Sequence, residues 1–326
     1  MTGPQKNPQE TKSQSLNALR VQFKNWWFST LRSDSVRAAK VWVVLAAISL
    51  LLIFGGHKVG RFGLLVGFLL ALAMNTIVYF YADIRIASLF TGQELEGQDP
   101  WGLRRQTLEL ARAIGVKAPA LVVIESSTPL AFSAGLLPQQ SKIYLSTELL
   151  KRLTADEIRI VLAYELHRLK TQQTSSATAA SALVGLITLT ASAIDDILLF
   201  RWIGEFFPNV RAKRETLLKS AGILLGPMTL LVSPLVALLV RLSVSRKALI
   251  ASDRVAGETT RTGAGLVART LWKLDSYAKT RPFPVNLAEA HLFTVSPLTR
   301  YPMWKFASAQ PPIEARLKAL TGYEPL

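Results

Sequence analysis

The sequence predicts a mostly helical α+β chain integral to a membrane, with one folded unit interrupted by hydrophobic helices. Three observations lead there. Half of the 326 residues are hydrophobic and only 18% are charged, whereas a soluble globular chain carries about 25% charged residues. The chain has 38 Lys and Arg against 22 Asp and Glu, a formal charge of +16, which suits a membrane protein with basic loops. Uncharged stretches of spanning length also alternate with segments of strand and helix periodicity. These features count against an ordinary soluble enzyme and against a disordered chain. Nucleic-acid binding would explain the charge but not the hydropathy, and the Lys and Arg are spread over every polar segment instead of forming one stripe. With no Cys there is no disulfide framework, thiolate metal site or Cys nucleophile, and only His57, His167 and His291 can supply imidazole.

The first forty residues hold seven Lys or Arg against two acids. Within them Leu16, Leu19, Phe23, Trp27 and Leu31 recur at helical spacing, so residues 16–31 read as an amphipathic helix. It either lies at the membrane surface or packs on the protein. Two uncharged stretches follow, Val41–Gly56 and Phe62–Ala82. A span needs about 20 apolar residues, and the short linker between these two makes them a hairpin with both ends on one side. The basic tail places that side in the cytoplasm, and no signal peptide is expected. From Asp83 to Lys170 the chain reads as α+β. Trp101–Ile114 is helical, and Ala120–Glu125, Ala131–Leu136 and Lys142–Ser146 are strands. Thr154 and Glu157 form a capping box that opens a further helix. A third uncharged stretch, Thr171–Ile194, is rich in Ser and Thr at its start and reads either as a span or as a buried core helix. A fourth, Ser220–Val240, contains Pro227 and Pro234; membrane helices accommodate such prolines. The basic loop between these two, Asp195–Lys219, would lie outside if both span, so either it lies along the membrane interface or the pair dips in without spanning.

The capped helix contains Val161-Leu-Ala-Tyr-Glu-Leu-His-Arg-Leu-Lys170. Upstream stands Ser127-Thr-Pro-Leu-Ala-Phe-Ser-Ala-Gly135, then Lys142-Ile-Tyr-Leu-Ser-Thr-Glu-Leu-Leu150. Downstream stand Ser245-Arg-Lys-Ala-Leu-Ile-Ala-Ser-Asp253 and Ser308-Ala-Gln-Pro-Pro-Ile-Glu-Ala-Arg316. In this order, behind a transmembrane hairpin, they resemble the membrane zinc metallopeptidases typified by the HtpX protease and the prenyl-protein (CAAX) endoproteases, over roughly residues 38–322. The resemblance implies a gluzincin-like domain with a small antiparallel sheet. It divides the chain into a basic tail (1–37), a hairpin (38–82), a first peptidase-like part (83–176), two membrane or membrane-embedded helices (177–242) and a second peptidase-like part (243–326).

The family carries His-Glu-x-x-His on a helix. Two His one turn apart bind zinc, and the Glu between them activates the zinc-bound water. A later Glu is the third ligand, and an Asp four residues on supports a His. Here Tyr164 and Arg168 stand at the two His positions and Leu249 at the third ligand. Glu165 keeps the general-base position, where it reads as vestigial, and Asp253 keeps the supporting one. Gln310 replaces the His of the last motif, and Leu130 the Asn of the edge-strand motif. His167 is one residue short of the ligand position and so rotated by about 100°. No cofactor is therefore expected; zinc is expected only if the chain is an active enzyme.

Three functions follow as expectations. The first is a non-catalytic pseudopeptidase acting as adaptor or regulator in membrane protein quality control. Its partners would be the lipid bilayer and membrane proteins or a membrane protease, and its tail and peptidase-like domain would face the cytoplasm at a bacterial inner membrane. The second is an active zinc endopeptidase of this family. The third is a basic lipid-surface scaffold. In the first, Arg168 either takes over the metal's positive charge and pairs with both Glu165 and Asp253, or points to solvent from a loosened site, while Leu130, Ala131 and Phe132 still offer an edge to an extended peptide.

Overall fold

Two long helices, α1 (Asp34–Lys58) and α2 (Arg61–Leu89), open the described part of the chain and form the expected hairpin. The structure is a computed structural model that describes residues 34–202, 227–297 and 309–323, apart from the single positions 91, 98, 138, 282, 284 and 286. The predicted helix at 16–31, the loop at 203–219 and the first part of the fourth hydrophobic stretch lie outside the described residues. Small residues let the hairpin backbones approach closely: a Cβ on Gly67 would run into the Leu52 carbonyl, and one on Gly63 into that of Gly56. Asn75 adds a polar tie, with its Nδ2 donating to Ser49 Oγ and Ala71 O at 2.8 Å each.

Next come β1 (Gly92–Glu94), α3 (Leu103–Ile114), β2 (Ala120–Ile124), β3 (Ala131–Ala134), β4 (Lys142–Ser146), α4 (Thr147–Arg152) and α5 (Ala155–Lys170). The sheet order is β1-β2-β4-β3, with β2 and β4 parallel and the other two pairs antiparallel. The sheet is thus mixed, which corrects the antiparallel expectation. The reason is directional. β3 and β4 form a hairpin, so β4 runs the same way as β2, and β4 returns to the place beside β2 while β3 takes the edge. Strand β1, three polar or glycine residues long, has too little hydrophobic pattern to be read from sequence.

After α5 the chain turns at Gln172, whose φ of 55° is left-handed, and enters α6 (Gln173–Trp202). Then come α7 (Pro227–Ser243), α8 (Arg246–Thr260), α9 (Gly263–Thr280), the short α10 (Leu287–Ala290) and α11 (Ile313–Thr321). Among the described residues, two stretches are long and apolar enough to cross a membrane: Arg61–Tyr79 in α2 and Gln173–Asp195 in α6. The apolar parts of α1 and α7 within those residues, Leu45–Lys58 and Leu230–Ser243, are shorter. The two long stretches differ: 56% of the α6 stretch is buried inside the protein, against 17% in α2. Thr174, Ser175, Ser176 and Thr178 at the foot of α6 are buried, and so are Ala179, Ala180, Leu183 and Val184 further along it. Asp195, at the far end, is also buried and accepts a hydrogen bond from Met228 N–H (2.8 Å) at the start of α7. A carboxylate there caps the exposed N–H groups of a helix terminus.

One apolar core takes residues from both sides of the hydrophobic insertion, including Leu103, Leu145 and Leu162 before it and Leu249, Leu271 and Leu317 after it. A second core lies among α1, α2, α6 and α7. A third is aromatic and covers the sheet edge with Phe90, Phe132, Tyr144 and Phe293.

Candidate functional site

Helix α5 positions the site. Thr154 Oγ1 accepts from Glu157 N–H (3.3 Å) and Glu157 Oε2 accepts from Thr154 N–H (2.8 Å), so both halves of the capping box form. Glu157 Oε2 also meets Lys273 Nζ of α9 at 2.9 Å. With its start fixed, α5 buries Tyr164, Glu165 and Arg168. His167 turns the other way, as its position predicts, and its Nδ1 lies 2.9 Å from Ser252 Oγ of α8.

Glu165 is completely buried, and each of its oxygens is occupied. Oε2 accepts from Ser133 Oγ of β3 (2.6 Å), and Oε1 from Thr294 Oγ1 (2.6 Å). Arg168 Nη1 donates to both, at 3.0 and 3.1 Å. Because the single Ser133 proton goes to the carboxylate, Thr174 at the foot of α6 donates to Ser133 Oγ (2.7 Å). A buried carboxylate is tolerated when it is paired and fully hydrogen-bonded. Three donor atoms thus crowd the two oxygens, although the Thr294 hydroxyl also lies 2.9 Å from Ala131 O and Arg168 Nη1 also serves Leu292 O.

The expected three-residue cluster divides in two. Asp253 of α8 does not receive Arg168. Instead Arg316 of α11 holds it bidentately, Nε to Oδ2 at 2.8 Å and Nη2 to Oδ1 at 2.6 Å. Planar guanidinium and carboxylate match in this way without strain, which is why Arg316 takes Asp253. The Tyr164 ring lies between the two pairs, 5.2 Å from the Arg316 guanidinium carbon and 5.9 Å from that of Arg168. Burial pushes the Tyr164 phenol up to about 12, so it is neutral at pH 7, and its hydroxyl has no hydrogen-bond partner among the described residues. Burial also raises the Asp253 carboxyl, against the opposing pull of Arg316. Burial works against the Arg316 charge in turn, but the paired Asp253 outweighs it and holds the guanidinium protonated. Leu249 is buried in the same core as Tyr164.

Leu130, Ala131 and Phe132 sit where the sequence places them, on and beside the edge strand, but the edge is covered. All three are exposed by 4% or less. Phe132 forms an antiparallel bridge with Phe293. Thr294 N–H donates to Ala131 O at 2.9 Å, and Leu130 pairs with Ser146 on the other side. The open peptide edge expected from sequence is therefore filled by the chain's own residues. Gln310, at the position of the last motif's His, donates from Nε2 to Phe293 O (2.6 Å). His291 is buried with Nε2 placed 2.9 Å from Ala177 O.

A divalent zinc ion does not fit these side chains. Zinc needs deprotonated or neutral N, O or S donors in a tetrahedral set. Tyr164, Arg168 and Leu249 offer a neutral phenol, a guanidinium and an alkyl chain, and the neighbouring carboxylates Glu165 and Asp253 are paired with arginines. Among the described residues no group of three or more His, Cys, Asp or Glu is placed to hold a metal. Sequence reasoning assigned no role to Ser133, Thr174, Arg316 or the segment around Thr294. Ser133 and Arg316 lie inside the quoted motifs, which signalled their place but not their partners. Thr294 lies in a stretch with no periodicity to read.

Fold and site together define a metallopeptidase-like scaffold: an edge strand beside a capped helix, α5, with α8 packed across it. The chain belongs to peptidase family M48, whose model matches residues 98–324. It is of the HtpX type. It is 32% identical to a "Protease HtpX homolog" of Pelotomaculum thermopropionicum over 284 residues, covering 87% of this chain and 98% of that protein. A homolog of the same name from Syntrophobacter fumaroxidans is 31% identical, covering 85% and 96%. Among solved structures, the crystal structure of S. mikatae Ste24p aligns with a TM-score of 0.46 and 17% identity, over 92% of this chain and 67% of that one.

Proposed function

We infer that this chain is a membrane-anchored member of its family that works without catalysis, as an adaptor or regulator in membrane protein quality control. One observation carries the reading: the Arg168 guanidinium, at a metal-ligand position, is hydrogen-bonded to the Glu165 carboxylate that would serve as general base. A cation supplied by the chain replaces one supplied by solution. With both carboxylates ionised, the charges of Glu165, Arg168, Asp253 and Arg316 sum to zero, and each carboxylate is paired with an arginine. In this reading the hairpin and the α6–α7 pair lie in a bacterial inner membrane, with the basic tail and the peptidase-like parts in the cytoplasm. Its partners are the bilayer and membrane proteins or a membrane protease.

The relatives' printed name, protease, favours the opposite outcome, and proteolysis discriminates the two. Purified full-length protein in detergent, supplied with zinc, is incubated with unfolded casein beside a Glu165→Gln variant. The reading predicts that both match the blank. Zinc-dependent cleavage that disappears in Glu165→Gln overturns it.

A further inference from the structure

Three consecutive carbonyls in one short segment are each taken by a buried side chain. Leu292 O accepts from Arg168 Nη1 (2.8 Å), Phe293 O from Gln310 Nε2 (2.6 Å) and Thr294 O from Arg316 Nη1 (2.7 Å). The segment also pairs with β3 through the Phe132–Phe293 bridge and the Thr294 N–H to Ala131 O bond. The Thr294 hydroxyl reaches Glu165. Phe293 is 1% exposed, with its ring centroid 4.9 Å from Phe132, 5.8 Å from Phe90 and 6.3 Å from Phe283. Peptides bound by strand addition use main-chain pairing on one edge and a side chain in a pocket; in this chain Phe293, an isolated bridge residue between a turn at 291–292 and a bend at 294–295, makes both contacts. Here both halves of the complex come from one chain.

We propose that Leu292–Thr294 is a built-in ligand of the β3 edge, clasped by Arg168, Gln310 and Arg316, and that it closes this edge to peptides from other proteins. The clasp re-uses two positions that differ from the family motif, Arg168 and Gln310, so one pair of replacements both fills the metal position and fixes the strand. The closure is intramolecular, and a tethered ligand competes at a high effective concentration against any free peptide. Partners of this protein are then recognised on a surface other than β3. A peptide able to take the segment's place would be extended, with an aromatic residue for the Phe293 pocket and a hydroxyl residue after it.

The inference rests on main-chain pairing, and its test has no zinc or cleavage readout, so it and the non-catalytic reading fail separately. Hydrogen–deuterium exchange is followed on full-length protein in detergent, on peptides spanning residues 291–297 and, for reference, β3. A labelled synthetic peptide with the sequence of residues 288–297 is also titrated against wild type and Thr294→Pro. Proline removes the N–H that bonds Ala131, whereas Thr294→Val keeps that bond and the side-chain volume. Expected are slow exchange at 291–297 in wild type and in Thr294→Val, and peptide binding about tenfold tighter to Thr294→Pro than to wild type, as loss of one or two hydrogen bonds implies. Exchange at 291–297 in wild type as fast as in the free peptide overturns the proposal. So does peptide binding to wild type as tight as to Thr294→Pro. If Thr294→Pro does not fold, the exchange result decides alone.

Discussion

Arg168 makes its strongest contacts with a residue three positions away, and the energetic consequence is testable one side chain at a time. Arg168→Ala leaves the Glu165 carboxylate buried without its cation, a loss of about 3–5 kcal/mol for a broken buried pair. Replacing both partners, Arg168→Met with Glu165→Gln, removes the uncompensated charge and recovers most of that loss; chemical denaturation of the three variants measures the difference. Tyr164 behaves in the opposite way. Its buried hydroxyl has no partner, and such a group costs about 1–3 kcal/mol. Tyr164→Phe is therefore expected to leave the melting temperature unchanged or raise it. A fall would show that the hydroxyl has a partner after all. At this scale the sequence picked out Tyr164, Glu165 and Arg168 on one helix, and the structure buries all three together. The Arg168–Glu165 pair was legible from spacing, but the partner of Asp253 was not. The competition for Asp253 is decided by α11, a helix 63 residues away in sequence whose Arg316 has the better geometry.

Elements were legible where local chemistry sets them. The capping box at Thr154 and the hydrophobic face behind it fix α5 without reference to the rest of the chain. Glu157 adds a pH dependence. Burial would raise its carboxyl, but Lys273 and the Thr154 hydrogen bonds outweigh that and hold it below its ordinary value of 4.5. Its folded value is thus lower than its unfolded one, so its stabilisation is complete above pH 4.5 and is lost as pH falls through the folded value. Glu157→Ala is expected to cost about 1 kcal/mol near neutrality and to shrink that acid-side loss, as read from melting temperatures across the range. The α1–α2 hairpin was equally plain from its two apolar runs, but its close approach was not, since a glycine's role depends on what faces it. Gly67→Leu would drive a side chain into the Leu52 backbone, an overpacking cost of about 1–3 kcal/mol. A lowered melting temperature in detergent with no change in the 291–297 exchange pattern is the expected outcome. Sheet order was the least legible element property. Periodicity marks each strand but not which neighbour it takes, and the swap that brings β4 beside β2 is a matter of tertiary packing.

On the scale of the whole molecule, the opening contrast between hydropathy and charge sorts into separate places. The apolar stretches lie in α1, α2, α6 and α7, and α6 reaches from the Glu165 network at Thr174 to Asp195 at its far end. The two peptidase-like parts, separated in sequence by the hydrophobic insertion, share one core. That arrangement explains why motifs scattered over the chain still assemble one site. The order of those motifs made the family readable from sequence, while the contact of residues 292–294 with β3 was hidden because it is one isolated bridge set in a turn. The central claim is that a guanidinium has taken the metal's place, and the zinc content of the purified full-length protein tests it most directly. Elemental analysis is expected to find essentially no zinc per chain, with a melting temperature unmoved by a chelator. One tightly held zinc per chain, with a melting temperature that falls on chelation, would contradict the account.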